Sequence, residues 1–252
     1  MSYVNKTVLV TGSSAGIGAA TAIEYAKQGA EVVIVGRNEV NLNNVREKCE
    51  SFGSKTLVIK ADVMIDEDAK RIIDETIKKF GKLDVLVNNA AIYEFTDLTK
   101  DDFMARFDRV MNINFRASVF LTHLATPHLI KTKGNIIFIS SIAASICGGD
   151  SDLISYCSSK AALNRFAEVA ALKLSEHGIR VNIISPGPVA TGMLEKNMRD
   201  KTSIEQWGEV TALKRVTAPE EIADLILFLT SEKARGITGS DFVTDNGVLL
   251  KA

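Results

Sequence analysis

Cysteine is scarce: the 252-residue chain holds three, Cys49, Cys147 and Cys157. Their odd number and the lack of metal-type spacing argue against a disulfide framework and against a zinc site. The histidines are equally few, His123, His128 and His177; they also lack ligand spacing, so no metal is expected and they read as structural or surface residues. Only four prolines are present, and no Pro/Gly/Ser-rich linker, internal repeat or low-complexity tract breaks the chain. Nothing therefore divides residues 1–252 into two domains. No apolar run approaches the roughly eighteen residues of a membrane span. Met1 to Val10 has no signal-peptide layout, because its apolar core is only a few residues long. A net charge of −1 offers no basic surface to nucleic acid or to an anionic membrane. What remains is a soluble chain suited to a reducing, cytoplasmic setting, 46% apolar and 24% charged, and long enough for one sizeable core.

What is present is alternation. Short apolar runs at Lys6–Val10, Glu31–Val35, Lys55–Lys60, Leu83–Val87, Asn135–Ser140, Arg180–Ile184 and Asp241–Thr244 read as seven strands, mostly buried on both faces. Between them, helical patterns cover Ile17–Gly29, Glu39–Ser51, Asp66–Phe80, Asp101–Leu129, Tyr156–Glu176 and Glu220–Thr230, the last opened by Pro219 in its first turn and the first ended by a glycine cap. Strands alternating with helices imply right-handed crossovers. The expected fold is α/β, a Rossmann-type doubly wound parallel sheet with helices on both faces. Its ligand crevice lies outside the carboxyl ends of the strands.

Three stretches carry chemistry. The first strand–helix turn reads Thr11-Gly12-Ser13-Ser14-Ala15-Gly16-Ile17-Gly18; glycines let backbone approach a pyrophosphate, which the helix N-terminus favours. The end of the second strand reads Gly36-Arg37-Asn38, with no acid before Glu39. An acid there would accept from a ribose 2′-hydroxyl, whereas an arginine accommodates a 2′-phosphate, so NADP(H) is favoured over NAD(H). The alternative is Arg37 as a solvated loop cation. The third stretch, Tyr156-Cys157-Ser158-Ser159-Lys160, opens a long helix. Residues four apart share a helix face, about 5–6 Å apart at Cβ, so one small molecule can meet both the phenol and the ammonium. A phenol with a pKa of about 10 is a poor acid/base at neutral pH. A nearby positive charge lowers that value, and Lys160 is expected to do so. By itself Tyr-x-x-x-Lys also fits an amphipathic turn with a snorkelling lysine.

Together these stretches resemble the single-domain short-chain dehydrogenases/reductases over nearly the whole chain. The likeness extends to Asn88-Asn89-Ala90, to Met111-Asn112-Ile113-Asn114, to Ile139-Ser140-Ser141 and to Pro186-Gly187-Pro188-Val189-Ala190-Thr191. The resemblance implies that Tyr156 passes a proton to or from the carbonyl or alcohol oxygen. Lys160 would hold the nicotinamide ribose, and Ser141 would hydrogen-bond the substrate oxygen, with Ser140 as the competing register. Asn114, rather than Asn112, matches the asparagine of a water relay to Lys160. On the cofactor side it implies Gly12, Ser13, Ser14, Gly16, Ile17 and Gly18 at the phosphates. Asp62 and Val63 would face the adenine, and Asn88 and Ala90 the adenosine. Pro186, Gly187, Val189 and Thr191 would lie by the nicotinamide.

Three departures stand out: Ala91 where the family has glycine, Asp245-Asn246-Gly247 for the usual Asp-Gly-Gly, and a separation of 15 residues from Ser141 to Tyr156. The first suggests a shifted backbone and the last a longer loop at Ser145–Ser155. A small-molecule carbonyl or secondary alcohol is the expected substrate. Its surroundings would be Ile92–Phe95, that loop, and a mobile lid around 190–216 that carries Met193, Leu194, Met198 and Trp207. Other readings are an NAD-dependent alcohol dehydrogenase and an NADP(H)-binding regulatory module with little turnover. The family also implies a homodimer or homotetramer through the two long helices. There Phe115, Phe120, Leu163, Phe166, Val169 and Leu172 could serve core or interface.

Overall fold

The structure, a computed structural model, describes residues 2–146, 152–196, 203 and 205–251. Cys147, Met198 and the middle of the 145–155 loop lie outside the described residues. In chain order the elements are β1 (Thr7–Thr11), α1 (Gly16–Lys27), β2 (Glu31–Gly36), α2 (Glu39–Glu50), β3 (Thr56–Lys60), α3 (Asp66–Phe80) and β4 (Val85–Asn88). The second half adds α4 (Phe103–Met111), α5 (Ala117–Thr132), β5 (Asn135–Ile139), α6 (Ile154–Ser175), β6 (Arg180–Pro186), α7 (Gly192–Lys196), α8 (Pro219–Thr230) and β7 (Asp241–Thr244).

The seven strands form one sheet in the order β3-β2-β1-β4-β5-β6-β7, every neighbouring pair parallel. Side chains alternate across a strand, and the two faces gather separate cores. Leu9, Val33, Leu86 and Phe138 point toward α3, α5 and α6, where Ile72, Leu121, Leu129 and Leu163 meet them. Their neighbours Val8, Val10, Ile34 and Val87 point the other way, against Tyr25, Leu42, Ile222 and Ile226 of α1, α2 and α8. Both faces are covered, which is why these strands read as unbroken apolar runs. The chain leaves α1 through Gly29, whose φ of +85° is the left-handed turn its sequence position suggests. Strand order reverses beside β1, so the crevice of a doubly wound sheet opens between β1 and β4.

The helical stretch expected at Asp101–Leu129 is observed, continuous from Phe103 to Thr132. Within it a wide π turn at Asn112–Arg116 joins α4 to α5, and such bulges recur at functional sites. It leaves Asn112 exposed and Asn114 buried. The six apolar residues with an open role divide cleanly. Leu163 is in the core and Phe115, Phe120 and Phe166 pack against it, whereas Val169 and Leu172 are exposed on α6. No helix among the described residues is long and apolar enough to cross a membrane.

Candidate active site

The glycine turn is held to the end of β4 by its own packing. Gly12 has φ +66°, and a Cβ there would sit 2.9 Å from the Ala90 Cα; one on Gly18 would sit 2.5 Å from the Gly12 carbonyl oxygen. Asn89 bridges the two segments, its amide donating to the Thr11 carbonyl at 2.8 Å, while the Thr11 hydroxyl accepts from the Asn89 and Ala90 amides at 3.0 Å each. Sequence reasoning passed over Asn89, although the motif that contains it was visible. Ser13 is turned away from the crevice: it is fully buried, and its Oγ accepts from Val35 N at 2.8 Å. Its side chain thus fastens the turn to β2. Ser14 stays half-buried beside Gly36. Ala15, which precedes α1, supplies no side-chain cap, so the first-turn amides of that helix remain donors for an anion. This cradle fits a dinucleotide pyrophosphate.

At the adenosine end Arg37 is 66% exposed and makes only a loose ion pair with Asp62, 3.6 Å apart. Asp62 also accepts from Met64 N at 3.0 Å, next to the buried Val63. The Asn88 side chain faces α5, donating to the Thr122 hydroxyl at 3.1 Å. Only its backbone and that of Ala90 are left to border the crevice. Ala91 lies outside the left-handed region, so its methyl group is accommodated without backbone strain.

Four side chains converge at the far end. Tyr156 is 8% exposed and Lys160 2%, one helical turn apart near the start of α6. Lys160 Nζ donates to the Ile139 carbonyl at 2.8 Å and lies 5.7 Å from the Tyr156 ring centre. Ser141 is hydrogen-bonded to the Tyr156 phenol, and its own Oγ accepts from Ala143 N at 3.2 Å. Ser140 points elsewhere, toward the Lys160 carbonyl at 3.5 Å, so the geometry favours the Ser141 register. The Asn114 carboxamide, turned inward by the π turn, pairs with the Ile92 backbone in both directions, at 2.8 and 2.9 Å. It also donates to Ser159 Oγ at 3.1 Å.

One further residue had no sequence signal. Thr96, fully buried, pairs as a parallel bridge with Leu153 and accepts from Ser155 Oγ at 2.9 Å. This clamp ties the segment after β4 to the first turn of α6 and so orients Tyr156. Tyr93 lies against Tyr156, ring centres 4.8 Å apart and tilted by 55°.

The electrostatics overturn one expectation. Burial pushes the Tyr156 phenol up to about 12, and the hydrogen bond from Ser141 only partly offsets it. Lys160 does not hold the phenol below its ordinary value. Burial instead brings Lys160 itself down to about 8. In both groups the loss of water on burial, which disfavours the charged form, is the largest cause.

One cavity of about 570 Å³ joins these parts, bordered by Ile17, Ser141, Tyr156, Lys160, Gly187 and Thr191 among others. The nicotinamide-side segment is braced: Val189 bridges to Thr217, and Thr217 N donates to Pro188 O at 3.1 Å. Asn246 is more than a minor departure. It adopts φ +51°, and its amide donates to Thr217 Oγ1 at 2.8 Å. Asparagine tolerates the left-handed region a glycine would otherwise fill, and here it also anchors the returning arm of the 190–216 segment.

A doubly wound sheet, a glycine cradle at its switch point and a buried Tyr/Lys/Ser cluster define a nicotinamide-dinucleotide oxidoreductase. A family model described as Enoyl-(Acyl carrier protein) reductase matches residues 12–249. The chain is 34% identical to L-fucose dehydrogenase of Bos taurus, over 98% of this chain and 91% of that protein. Among solved structures, 7α-hydroxysteroid dehydrogenase complexed with NADH and 7-oxo glycochenodeoxycholic acid superposes with a TM-score of 0.91 at 32% identity, covering 98% and 95% of the two chains. A short-chain dehydrogenase from Burkholderia cenocepacia J2315 in complex with NADP gives 0.91 at 30% identity, covering 99% and 100%. The chain belongs to the short-chain dehydrogenase/reductase family. It is an NAD(P)-dependent oxidoreductase acting on CH–OH or C=O groups.

Proposed function

We propose that the protein transfers hydride between NADP(H) and a small carbonyl compound or secondary alcohol, with Tyr156 as the general acid/base. The observation that carries this reading is the placing of Ser141, Tyr156 and Lys160 in the wall of the same cavity that Ile17 and Thr191 border. When bound, the nicotinamide supplies or accepts the hydride. The chain does the rest: Ser141 and Tyr156 hold the substrate oxygen, and Tyr156 gives it a proton in reduction. Lys160 would hold the cofactor ribose, and Asn114 and Thr96 keep α6 in position. Consumption of NADPH with a ketone panel, absent without protein, tests the activity.

The cofactor preference rests on Arg37. An exposed ion pair such as that with Asp62 contributes little, about 0–1 kcal/mol, so the guanidinium is available to a 2′-phosphate. A charge-assisted contact is worth roughly 1.5–3 kcal/mol. Arg37→Ala is therefore expected to weaken NADPH binding by about tenfold or more and leave NADH unchanged, as read by titration calorimetry. Equal affinities for the two cofactors in the unmodified protein would favour the NAD-dependent reading.

The lysine predicts a pH profile. Lys160, with a pKa near 8, is charged below that value and neutral above it, while Tyr156 at about 12 keeps its proton throughout. The pair below pH 8 is thus a proton donor beside a cation, the state that reduction needs. Reductive kcat/KM for NADPH reports groups of the cofactor-free enzyme; it is expected to be level below pH 8 and to fall above it. A profile level to pH 10 would show that Lys160 keeps its charge. The exposed Val169 and Leu172 on α6 favour assembly with a second copy, which light scattering would read, and a cytoplasmic setting suits the chain.

A further inference from the structure

Resting on the oxidoreductase reading, we infer that the substrate is a neutral, largely apolar ring ketone or its alcohol, not a polyhydroxylated, carboxylated or phosphorylated molecule. Among the described residues lining the cavity, Lys160 is the only charged side chain, and it is committed to the Ile139 carbonyl. Among the described lining residues there is no arginine, histidine or acid to meet an anionic group or a run of hydroxyls.

The polar side chains are largely occupied too. Asn89 serves Thr11, Ser140 faces the Lys160 carbonyl, and Ser141 and Tyr156 belong to the reacting oxygen. Beyond them the wall is apolar and comes from separate parts of the chain. Ile142 and Ile146 follow β5, Leu153 precedes α6, Leu194 belongs to α7, Val210 closes the turn at Glu205–Val210, and Val248 follows β7. Tyr93 and Trp207 add flat faces.

Core packing alone does not explain this wall. Met193 and Val210 border the cavity while 39% and 37% exposed, so the chain presents apolar surface there rather than hiding it. A hydroxyl desolvated against such a wall loses its water without gaining a partner, whereas each ring carbon buried there is favourable. The reaction balances simply: the carbonyl carbon takes a hydride, its oxygen takes a proton, and NADPH becomes NADP⁺.

Two measurements test the class. In the first, trans-1-decalone or D-galactose is titrated into the NADP⁺ complex, where the ketone cannot turn over. The fluorescence of Trp207 reports binding, since it is the only tryptophan and borders the cavity. In the second, kcat/KM with NADPH is compared between cyclohexanone and trans-1-decalone, and galactose is offered with NADP⁺. The expected result is saturable binding of decalone alone. Reductive kcat/KM should be at least about tenfold higher for decalone than for cyclohexanone, because its second ring adds buried carbons. Galactose binding or turnover matching decalone, no gain from the second ring, or no decalone binding would overturn the class while hydride transfer stood. Decalone binding at Trp207 with no turnover of any compound would support the class and overturn the oxidoreductase reading.

Discussion

Tyr156→Phe is expected to lower turnover by on the order of 10²–10⁴-fold, the range for loss of a positioned general acid, while NADPH affinity and melting temperature hardly change. The phenylalanine ring retains the tilted contact with Tyr93 and the buried position that Tyr156 occupies. Only the hydroxyl is removed. Its partner Ser141 still accepts from Ala143 N, so no buried polar group is left stranded, and a large stability loss has no source. Lys160 keeps its bond to the Ile139 carbonyl, which leaves the cofactor side intact. Steady-state rates with the best ketone, set beside calorimetric NADPH affinity and a thermal melt, separate the outcomes. Undiminished turnover would remove Tyr156 from the chemistry, whereas lost folding would make the result a structural one.

The second large effect is expected from Gly18→Ala. In a helix, glycine to alanine ordinarily stabilises by about 0.8–1 kcal/mol. Gly18 lies inside α1 with no positive φ, so nothing in the backbone conformation opposes the change. Yet the added methyl would sit 2.5 Å from the Gly12 carbonyl oxygen and 2.6 Å from the Asn89 amide. Both neighbours are fixed, Gly12 by the turn and Asn89 by its bond to Thr11. Relief requires α1 to move off the sheet or the turn to open, an overpacking cost typically of about 1–3 kcal/mol. A melting temperature lower by several degrees is expected, with NADPH affinity down at least about tenfold because the cradle is displaced. A stabilised variant with unchanged affinity would show that the turn yields easily.

Much of the fold was legible because its signals are local. Apolar runs of strand length, punctuated by Thr11-Gly12 and Gly36, state where β1 and β2 end, and observed bounds differ from expected ones by a residue or two at most strands. The sixth strand runs on to Pro186 rather than stopping at Ile184, since edge pairing with β7 continues there. The π turn was illegible: nothing in Asn112–Arg116 marks it as wider than an α-helix. It persists where Asn114 finds Ile92 and Ser159 as partners, both distant in sequence. Ser13 was misleading for a similar reason. A serine in a glycine turn suggests a phosphate contact, but β2 passes close enough to take its hydroxyl.

By itself the sequence determined the alternating architecture, the family, and the helix face that Tyr156 and Lys160 share, because periodicity and i,i+4 spacing act within a few residues. Tertiary structure alone decided which serine faces the phenol, the Thr96–Ser155 clamp and the apolar cavity wall. It also decided the sign of the tyrosine's pKa shift. Spacing brings a cation near a phenol, but the free energy of each charge depends on how much water the rest of the chain excludes, and here burial raises the phenol and lowers the lysine.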